Sequence, residues 1–254
     1  MRRRRHGQAR SPRKPASPSS RTARPTTASS RPWSRPAKST GDVVDVEGDY
    51  AAQAGKNGQL EKLDFSIIDK SKLDPRFVTD YSVGSFYYSF VIGCNADAVK
   101  ACPKTWADLF DTTKFPGKRT FYKWSAPGVI EAALLADGVP ADKLYPLDLD
   151  RAFKKLDTIK SDIIWWSGGA QSQQLLASAE APFGSVWNGR MTALAATGIK
   201  VETSWEQNIT AADALVVPKG APNAEAAMKF IALATSAEPA GCPCKGYGVR
   251  ADQS

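Results

Sequence analysis

Several short apolar segments of the chain end in an aromatic or acidic residue beside a small one. In "FGSVWNGR", Trp187 stands directly before Asn188 and Gly189, where a strand should stop. Similar endings occur at 47–50 (EGDY), 124–125 (WS) and 166–169 (WSGG). Aromatic walls with carboxylates suit an organic cation, because each desolvated cation–π contact contributes about 1–2 kcal/mol. Charge-assisted hydrogen bonds to Asp or Glu add specificity. These endings therefore indicate an aromatic-walled cleft for a cation.

Core packing is the competing explanation for every tryptophan in this pattern. We expect Trp106, Trp165 and Trp205 to pack in the core. Trp124, Trp166 and Trp187 stand at strand ends, where both core packing and ligand contact remain open.

The sequence contains no recognisable catalytic set. It has no G-x-S-x-G, no phosphate-binding glycine loop and no H-E-x-x-H, and its one histidine is His6. Neither Ser/His nor metal chemistry therefore has a base or ligand set, and no motif pairs two carboxylates for acid–base work. We expect a binding protein rather than an enzyme, with no cofactor and no metal.

From residue 41 onward, strand and helix patterns alternate, which predicts an α/β fold with a parallel or mixed sheet covered by helices. In such sheets ligands collect beyond the carboxyl ends of the strands. Thr105 and Asp108 predict a capping box at one helix start, and Gly138 predicts a helix end. The predicted strands are 42–46, 85–95, 118–124, 162–166, 183–187, 199–205 and 213–218. Residues 48–60 predict a turn followed by a short helix that ends near Gly58, and the other predicted helices are 103–111, 129–138, 148–159, 169–180, 188–198 and 224–238.

The four cysteines fall in two pairs, Cys94 with Cys102 and Cys242 with Cys244. Neither spacing makes a zinc site. Cys94 and Cys102 could close a small loop as a disulfide if the protein is exported, or they could remain two thiols.

Residues 1–40 carry the positive charge of the chain. They hold ten Arg and two Lys and no acid, so the net charge of +8 leaves about −4 for the remainder. With one Trp and no aliphatic run, this segment is expected to be disordered. Three explanations stay open: an arm that binds nucleic acid or anionic membrane, a transit peptide, and a non-native translation product. It lacks the apolar stretch of a secretory signal.

The segments "DVVDVEGDYAAQAGKNGQLEKLD", "SFYYSFVIGCNADA", "KTWADLFDTTKFPGKRTFY", "FGSVWNGR" and "ADALVVPKGAPNAEAAMKF" resemble periplasmic solute-binding proteins of ABC importers, in the group with the spermidine/putrescine binders. The resemblance runs from about residue 41 to 238. It implies two α/β lobes joined by crossing strands, with the ligand held between them. It also implies a periplasmic location, a membrane permease as partner, a monomer and no nucleic-acid partner.

On this resemblance, 41–98 form an incomplete first lobe, 99–210 the second lobe, and 211–254 a return to the first lobe with an atypical end. Both ends of the chain, 1–40 and 239–254, differ from the family pattern, and we expect them to reflect a frameshift or miscalled boundaries.

The resemblance also implies ligand contacts. Trp187 matches a ligand-stacking Trp, and Asp213 matches an Asp that binds a substrate amine. Glu47 and Asp49 replace a Ser and a Tyr and could supply carboxylates. Trp124 and Ser125 complete the expected site, although Ser125 and Gly128 stand where the polyamine binders have two acids. The expected ligand is a polyamine such as putrescine or a related amine-bearing solute.

Overall fold

The computed structural model describes residues 41–124 and 127–236. Six strands form one mixed sheet in the order β1-β6-β2-β5-β3-β4. The pairs β1–β6, β6–β2 and β2–β5 are antiparallel, while β5–β3 and β3–β4 are parallel. The predicted mixed α/β sheet is confirmed. The strands are β1 (Val44–Glu47), β2 (Ser82–Asn95), β3 (Arg119–Tyr122), β4 (Ile163–Trp166), β5 (Phe183–Trp187) and β6 (Val201–Val216).

Seven α-helices connect the strands or follow them in the described residues. The predicted capping box is present: Asp108 N donates to Thr105 Oγ1 over 3.1 Å, and Thr105 N donates to Asp108 Oδ2 over 3.2 Å. Gly138, at φ +81°, follows the third helix, as predicted. The helices are α1 (Gly48–Lys56), α2 (Trp106–Phe110), α3 (Val129–Ala136), α4 (Leu149–Asp157), α5 (Gly169–Ala177), α6 (Asn188–Ala195) and α7 (Ala224–Ala234).

The two longest strands, β2 and β6, run between separate hydrophobic cores. Near the start of β2, Val83 packs with Val217 and Ile231. Near its end, Ile92 packs in a larger core with α2, α3 and α4. The crossing of β2 and β6 is the part of these paired strands that passes from one core to the other. β1 ends beside it opposite Asp213 of β6, and β5 ends beside it opposite Phe90 of β2. β3 and β4 follow next to β5 in the sheet.

The prediction of two separate strands at 199–205 and 213–218 is wrong, because both belong to β6 (Val201–Val216). The stretch between them is polar and lacks apolar alternation, so the sequence pattern is interrupted there. Residues 209–212 of this stretch nevertheless pair with β2, and the register shifts between Phe90, opposite Ile209, and Ile92, opposite Ser204. The predicted domain boundary at residue 210 falls inside this strand.

Two of the three tryptophans expected in the core are exposed. Trp106 is buried, and its Nε1 donates to the main-chain oxygen of Gln207 over 2.7 Å. Trp205 is 51% exposed and lies in the irregular part of β6, between the residues that pair with Ile92 and Phe90 of β2. Trp165 is 38% exposed on β4, the last strand of the sheet.

The cysteines and one arginine fix the larger core. Cys94 and Cys102 form a disulfide with Cα atoms 5.8 Å apart. Of the two states that the sequence left open for this pair, a disulfide or two thiols, the structure contains the disulfide. The side chain of Arg119 is fully buried and donates to the main-chain oxygens of Leu109, Phe115 and Gly117. Burial lowers the pKa of Arg119.

The remaining sequence predictions concern the ends of the chain. Residues 1–40 and 239–254, with Cys242 and Cys244, lie outside the described residues.

Within 41–124 and 127–236, no helix combines the length and apolar character needed to cross a bilayer. The same residues contain no group of three or more His, Cys, Asp or Glu that could hold a metal ion.

Candidate functional site

Acidic and aromatic side chains from all six strands of the sheet meet at the crossing of β2 and β6. Glu47, at the end of β1, pairs directly with Asp213 of β6. Their side chains share one face of the sheet, because directly opposed residues of an antiparallel pair point the same way. Trp187, at the end of β5, pairs with Phe90 of β2. Tyr122, at the end of β3, pairs with Trp166 of β4.

The aromatic rings form one continuous cluster around Trp187. The ring centroid of Trp187 lies 4.8 Å from that of Trp166 and 5.2 Å from that of Tyr122, both edge to face. Tyr88 stands 6.0 Å from Trp187 and Trp124 stacks 6.1 Å from Tyr122. The strand endings that the sequence singled out therefore lie together.

The Glu47 carboxylate joins the acidic side of the site to the aromatic side. Its Oε2 accepts from Trp124 Nε1 over 3.0 Å, and its Oε1 accepts from Tyr88 over a longer 3.5 Å. Burial, followed by the charges of Asp213 and Asp49, raises the pKa of Glu47 to about 7, against the lowering effect of these two hydrogen bonds.

Asp213 is the second half-buried carboxylate. Burial and the charge of Asp45 raise its pKa to about 6. Within the described residues, no Lys or Arg forms a salt bridge with Asp213 or Glu47. Two neighbouring carboxylates without a cation favour a positively charged ligand, because it would remove their repulsion and repay their desolvation.

Within the described residues, three buried side-chain polar atoms have no hydrogen-bond partner. Two of them lie in this cluster, Asp213 Oδ1, an acceptor, and Trp187 Nε1, a donor, and the third is Ser185 Oγ on β5. A buried polar atom without a partner costs about 1–3 kcal/mol. Buried polar groups are usually satisfied, so orphaned atoms at one site point to a ligand that completes them. A ligand that pairs with both must carry both a donor and an acceptor.

The other predicted site residues differ in their positions. Trp166 is fully buried and donates from Nε1 to the main-chain oxygen of Ser185 over 3.0 Å, so it supports the ring of Trp187 from behind. Asp49 is exposed in the first turn of α1, and its charge contributes to the raised pKa of Glu47. Trp124 is 38% exposed and holds Glu47. Ser125 lies outside the described residues.

Buried Glu131, in the first turn of α3, binds the main chain at Gly128 and the side chain of Tyr145. Its Oε2 accepts from Gly128 N over 2.8 Å, and its Oε1 accepts from the Tyr145 hydroxyl over 2.9 Å. Gly128 has φ +120°, and a Cβ there would stand 3.1 Å from the Phe90 ring. A side chain at Gly128 would therefore strain the backbone and press on the aromatic cluster.

The sequence does not mark three aromatic residues of the cluster as site residues: Tyr88, Phe90 and Tyr122. Phe86, Tyr88 and Phe90 alternate along β2, which places their side chains on one face. That alternation was the available signal, but identifying the face required knowing that β5 lies next to β2.

Two surface cavities lie elsewhere and include none of these residues. One, of about 280 Å³, is lined by residues of α3, α4 and the segment between them, including Leu134, Lys143 and Arg151. The other, of about 480 Å³, lies between β1 and α7, with Asp42, Val43 and Phe230 in its wall. Neither carries the paired carboxylates or the orphaned atoms, so the cluster at the strand crossing is the candidate site.

Comparison with known proteins gives the family. A model described as bacterial extracellular solute-binding protein matches residues 34–240. The chain belongs to this family. Proteins of the family are non-enzymatic solute-binding components of ABC transporters, with a periplasmic or extracellular location.

Two curated relatives of this solute-binding protein show the range of ligands. The gamma-aminobutyric acid-binding protein of Pseudomonas aeruginosa is 36% identical over 200 residues, which cover 76% of this chain and 56% of the relative. The spermidine/putrescine-binding periplasmic protein of Salmonella typhimurium is 28% identical over 209 residues, covering 75% of this chain and 57% of the relative.

Solved structures are also similar. A GABA receptor structure is 88% identical with a TM-score of 0.75, covering 78% of this chain and 62% of that chain. An Agrobacterium tumefaciens binding protein in complex with agropinic acid is 34% identical with a TM-score of 0.73, covering 79% of this chain and 63% of that chain. The chain therefore spans less than two thirds of the length of these relatives, and the fold agrees with theirs over the shared part.

Proposed function

We propose that the protein binds a small amine-bearing solute at the crossing of β2 and β6 and delivers it to the membrane permease of an ABC importer. The protein binds the solute stoichiometrically and forms no covalent bond with it. A periplasmic location, a monomeric state and the two lobes 41–98 with 211–254 and 99–210 belong to the same proposal.

We further propose that the solute is a short amino acid of the gamma-aminobutyric acid (GABA) type rather than a polyamine. The observation that carries this choice is the pair of orphaned atoms, Asp213 Oδ1 and Trp187 Nε1. An ammonium group can donate to Asp213, and a carboxylate can accept from Trp187. A polyamine carries only donors at neutral pH, so it would leave Trp187 Nε1 unpaired at a cost of about 1–3 kcal/mol.

The cationic end of such a solute has support from charge and from the aromatic rings. Glu47 and Asp213 supply half-buried carboxylates, and Asp49 adds a third negative charge nearby. Trp187 and Trp124 supply ring surface for the alkyl chain and the ammonium group. Ser125, next to Trp124 in sequence, is proposed as a polar contact. The gamma-aminobutyric acid-binding protein of Pseudomonas aeruginosa and the GABA receptor structure are more similar in sequence to this chain than the spermidine/putrescine-binding protein of Salmonella typhimurium is.

A panel of ligands separates the two solute classes. We expect GABA and its close homologues to raise the thermal transition of the full chain, since a ligand at 100 times its dissociation constant contributes about 2.7 kcal/mol. Putrescine and spermidine should give little or no shift at equal concentration. A shift for putrescine but not GABA would contradict the amino-acid proposal, and no shift for any amine would contradict the site itself.

Asp213→Asn provides the matched test of the residue assignment. It keeps the size and one acceptor of the side chain and removes its charge. We expect GABA binding to weaken by about tenfold or more, because a hydrogen bond to a charged group contributes about 1.5–3 kcal/mol. Asp80→Asn, on an exposed carboxylate paired with Lys62 away from the site, is the control and should leave binding unchanged.

A further inference from the structure

The strand β5 ends at Trp187 and helix α6 begins at the next residue, Asn188, with no loop between them. The direction of the Trp187 ring therefore depends on how this sharp change from strand to helix is held. Trp187 is the N-cap residue of α6, and its side chain makes no capping hydrogen bond to the helix.

The neighbouring strand β2 continues past the point where β5 stops. Phe90 pairs with Trp187, so Ser89 of β2 stands opposite Asn188. At the other end of this ladder, Asn95 N donates to Pro182 O over 2.7 Å. Hydrogen-bonded positions alternate along an antiparallel pair, and Ser89 lies six residues from Asn95, at another such position. A regular ladder would pair Ser89 N with the main-chain oxygen of residue 188.

The side chain of Asn188 takes that place. Asn188 is already helical, and its Oδ1 accepts from Ser89 N over 3.0 Å. Both residues are buried. The carboxamide thus adds one more rung to the β2–β5 ladder immediately beyond Trp187.

Ser89 connects this rung to the rest of the site. It lies between Tyr88 and Phe90, whose rings stand 6.0 and 6.4 Å from Trp187. Its hydroxyl lies 3.1 Å from Thr210 Oγ1 on β6, the strand that carries Asp213. The rung therefore ties the start of α6 to both crossing strands.

We propose that Asn188 is a positioning residue for Trp187: its carboxamide replaces the missing main-chain acceptor opposite Ser89 and fixes the direction of the indole. The role of Trp187 in ligand binding is that of the proposed function, but the position of its ring can be measured without any ligand.

The first test is the indole N–H resonance of Trp187 in a proton–nitrogen correlation spectrum of the ligand-free full chain, assigned by its loss in Trp187→Phe. In Asn188→Ala we expect this resonance to move or broaden, whereas Asn188→Asp, which keeps an acceptor oxygen, should preserve it. Asn188→Ser, whose hydroxyl is too short to reach Ser89, serves if the alanine variant does not fold. An unchanged resonance in the alanine or serine variant would overturn the proposal.

Asn95→Ala is the matched control. Asn95 is buried on the same strand, and its Nδ2 donates to Leu176 O over 2.8 Å, at the far end of the ladder. It should lower the thermal transition and leave the Trp187 resonance in place. An equal change of that resonance in Asn95→Ala would reduce Asn188 to a general structural role.

The second test is calorimetric binding of GABA. Asn188→Ala should weaken binding at least fivefold in the wild-type background and have little further effect in the Trp187→Ala background, because the residue acts through the indole. Equal weakening in both backgrounds would contradict the proposal. Absence of GABA binding to the wild-type chain would contradict the proposed function, while the resonance test would still decide the role of Asn188.

Discussion

Binding of an amine to this site should depend on pH between 6 and 8, where most carboxylates no longer titrate. The pKa of Glu47 is raised to about 7 and that of Asp213 to about 6. A cationic ligand requires both side chains in their charged form, so protons must leave before or during binding. The affinity should therefore fall as the pH is lowered through this range.

The two pKa values set the size of the effect. If both groups must lose their protons, moving from pH 8 to pH 6 weakens binding by about 20-fold. Both carboxylates are only half-buried, so solvent screening reduces this, and we expect a fall of about 5- to 20-fold. At pH 7, about half a proton should leave for each ligand bound. The amine and carboxyl groups of GABA keep their charges across this window.

Isothermal titration of GABA at several pH values measures the affinity, and buffers with different ionisation heats measure the released protons. Glu47→Gln should reduce the fall to about twofold, because only Asp213 then titrates. His6→Ala, which removes the single histidine of the chain, should leave the fall unchanged. A constant dissociation constant from pH 6 to 8, or a full pH effect in Glu47→Gln, would refute the assignment of these carboxylates.

Three further variants test separate parts of the structure. Because the folded-state pKa of Glu47 is raised, the contribution of this side chain to the free energy of unfolding is complete at low pH and is lost as the pH rises through about 7. Glu47→Gln should therefore raise the thermal transition of the ligand-free protein at pH 8, and a lower transition would contradict this. Trp187→Phe keeps a ring and removes the orphaned donor, so GABA binding measured by calorimetry should weaken about tenfold more than any putrescine binding; equal losses would separate Nε1 from ligand recognition. Arg119→Met leaves three main-chain oxygens without their donor, so the free energy of unfolding in urea should fall by about 3 kcal/mol without a change in GABA affinity. An unchanged midpoint of urea unfolding would show that the buried charge makes no net contribution to stability.

Local chemistry made much of the fold predictable. Thr105 and Asp108 fix the start of α2 through a capping box, and Gly138 ends α3, because these effects depend on a few neighbouring residues. The polar Asn188 directly after Trp187 in the sequence correctly predicts the end of β5. Such interactions between neighbouring residues depend little on the rest of the fold.

Other features depend on distant parts of the chain. The middle of β6 has no apolar alternation, since it crosses between two cores, so its pairing with β2 leaves no mark on its own sequence. The exposure of Trp205 in the irregular part of β6, and the burial of Trp166 against Tyr122 and Trp187, likewise depend on how distant strands pair and pack. Hydrophobicity alone could not distinguish the two tryptophans.

The candidate site was predictable in its residue types and less so in its geometry. Glu47 and Asp213 were identified separately, but their direct pairing and shared burial come from the register of β1 with β6. The orphaned Nε1 of Trp187 is visible only once the neighbouring rings are placed. That atom is what turns a general expectation of an amine ligand into a proposal for an amino acid.

The most direct measurement is a crystal structure of the full chain grown with GABA. We expect the ammonium nitrogen within about 3 Å of Asp213 Oδ1, with Glu47 on the same side, and the carboxylate accepting from Trp187 Nε1. GABA bound elsewhere, or bound at this site with its carboxylate against Asp213, would contradict the proposed recognition.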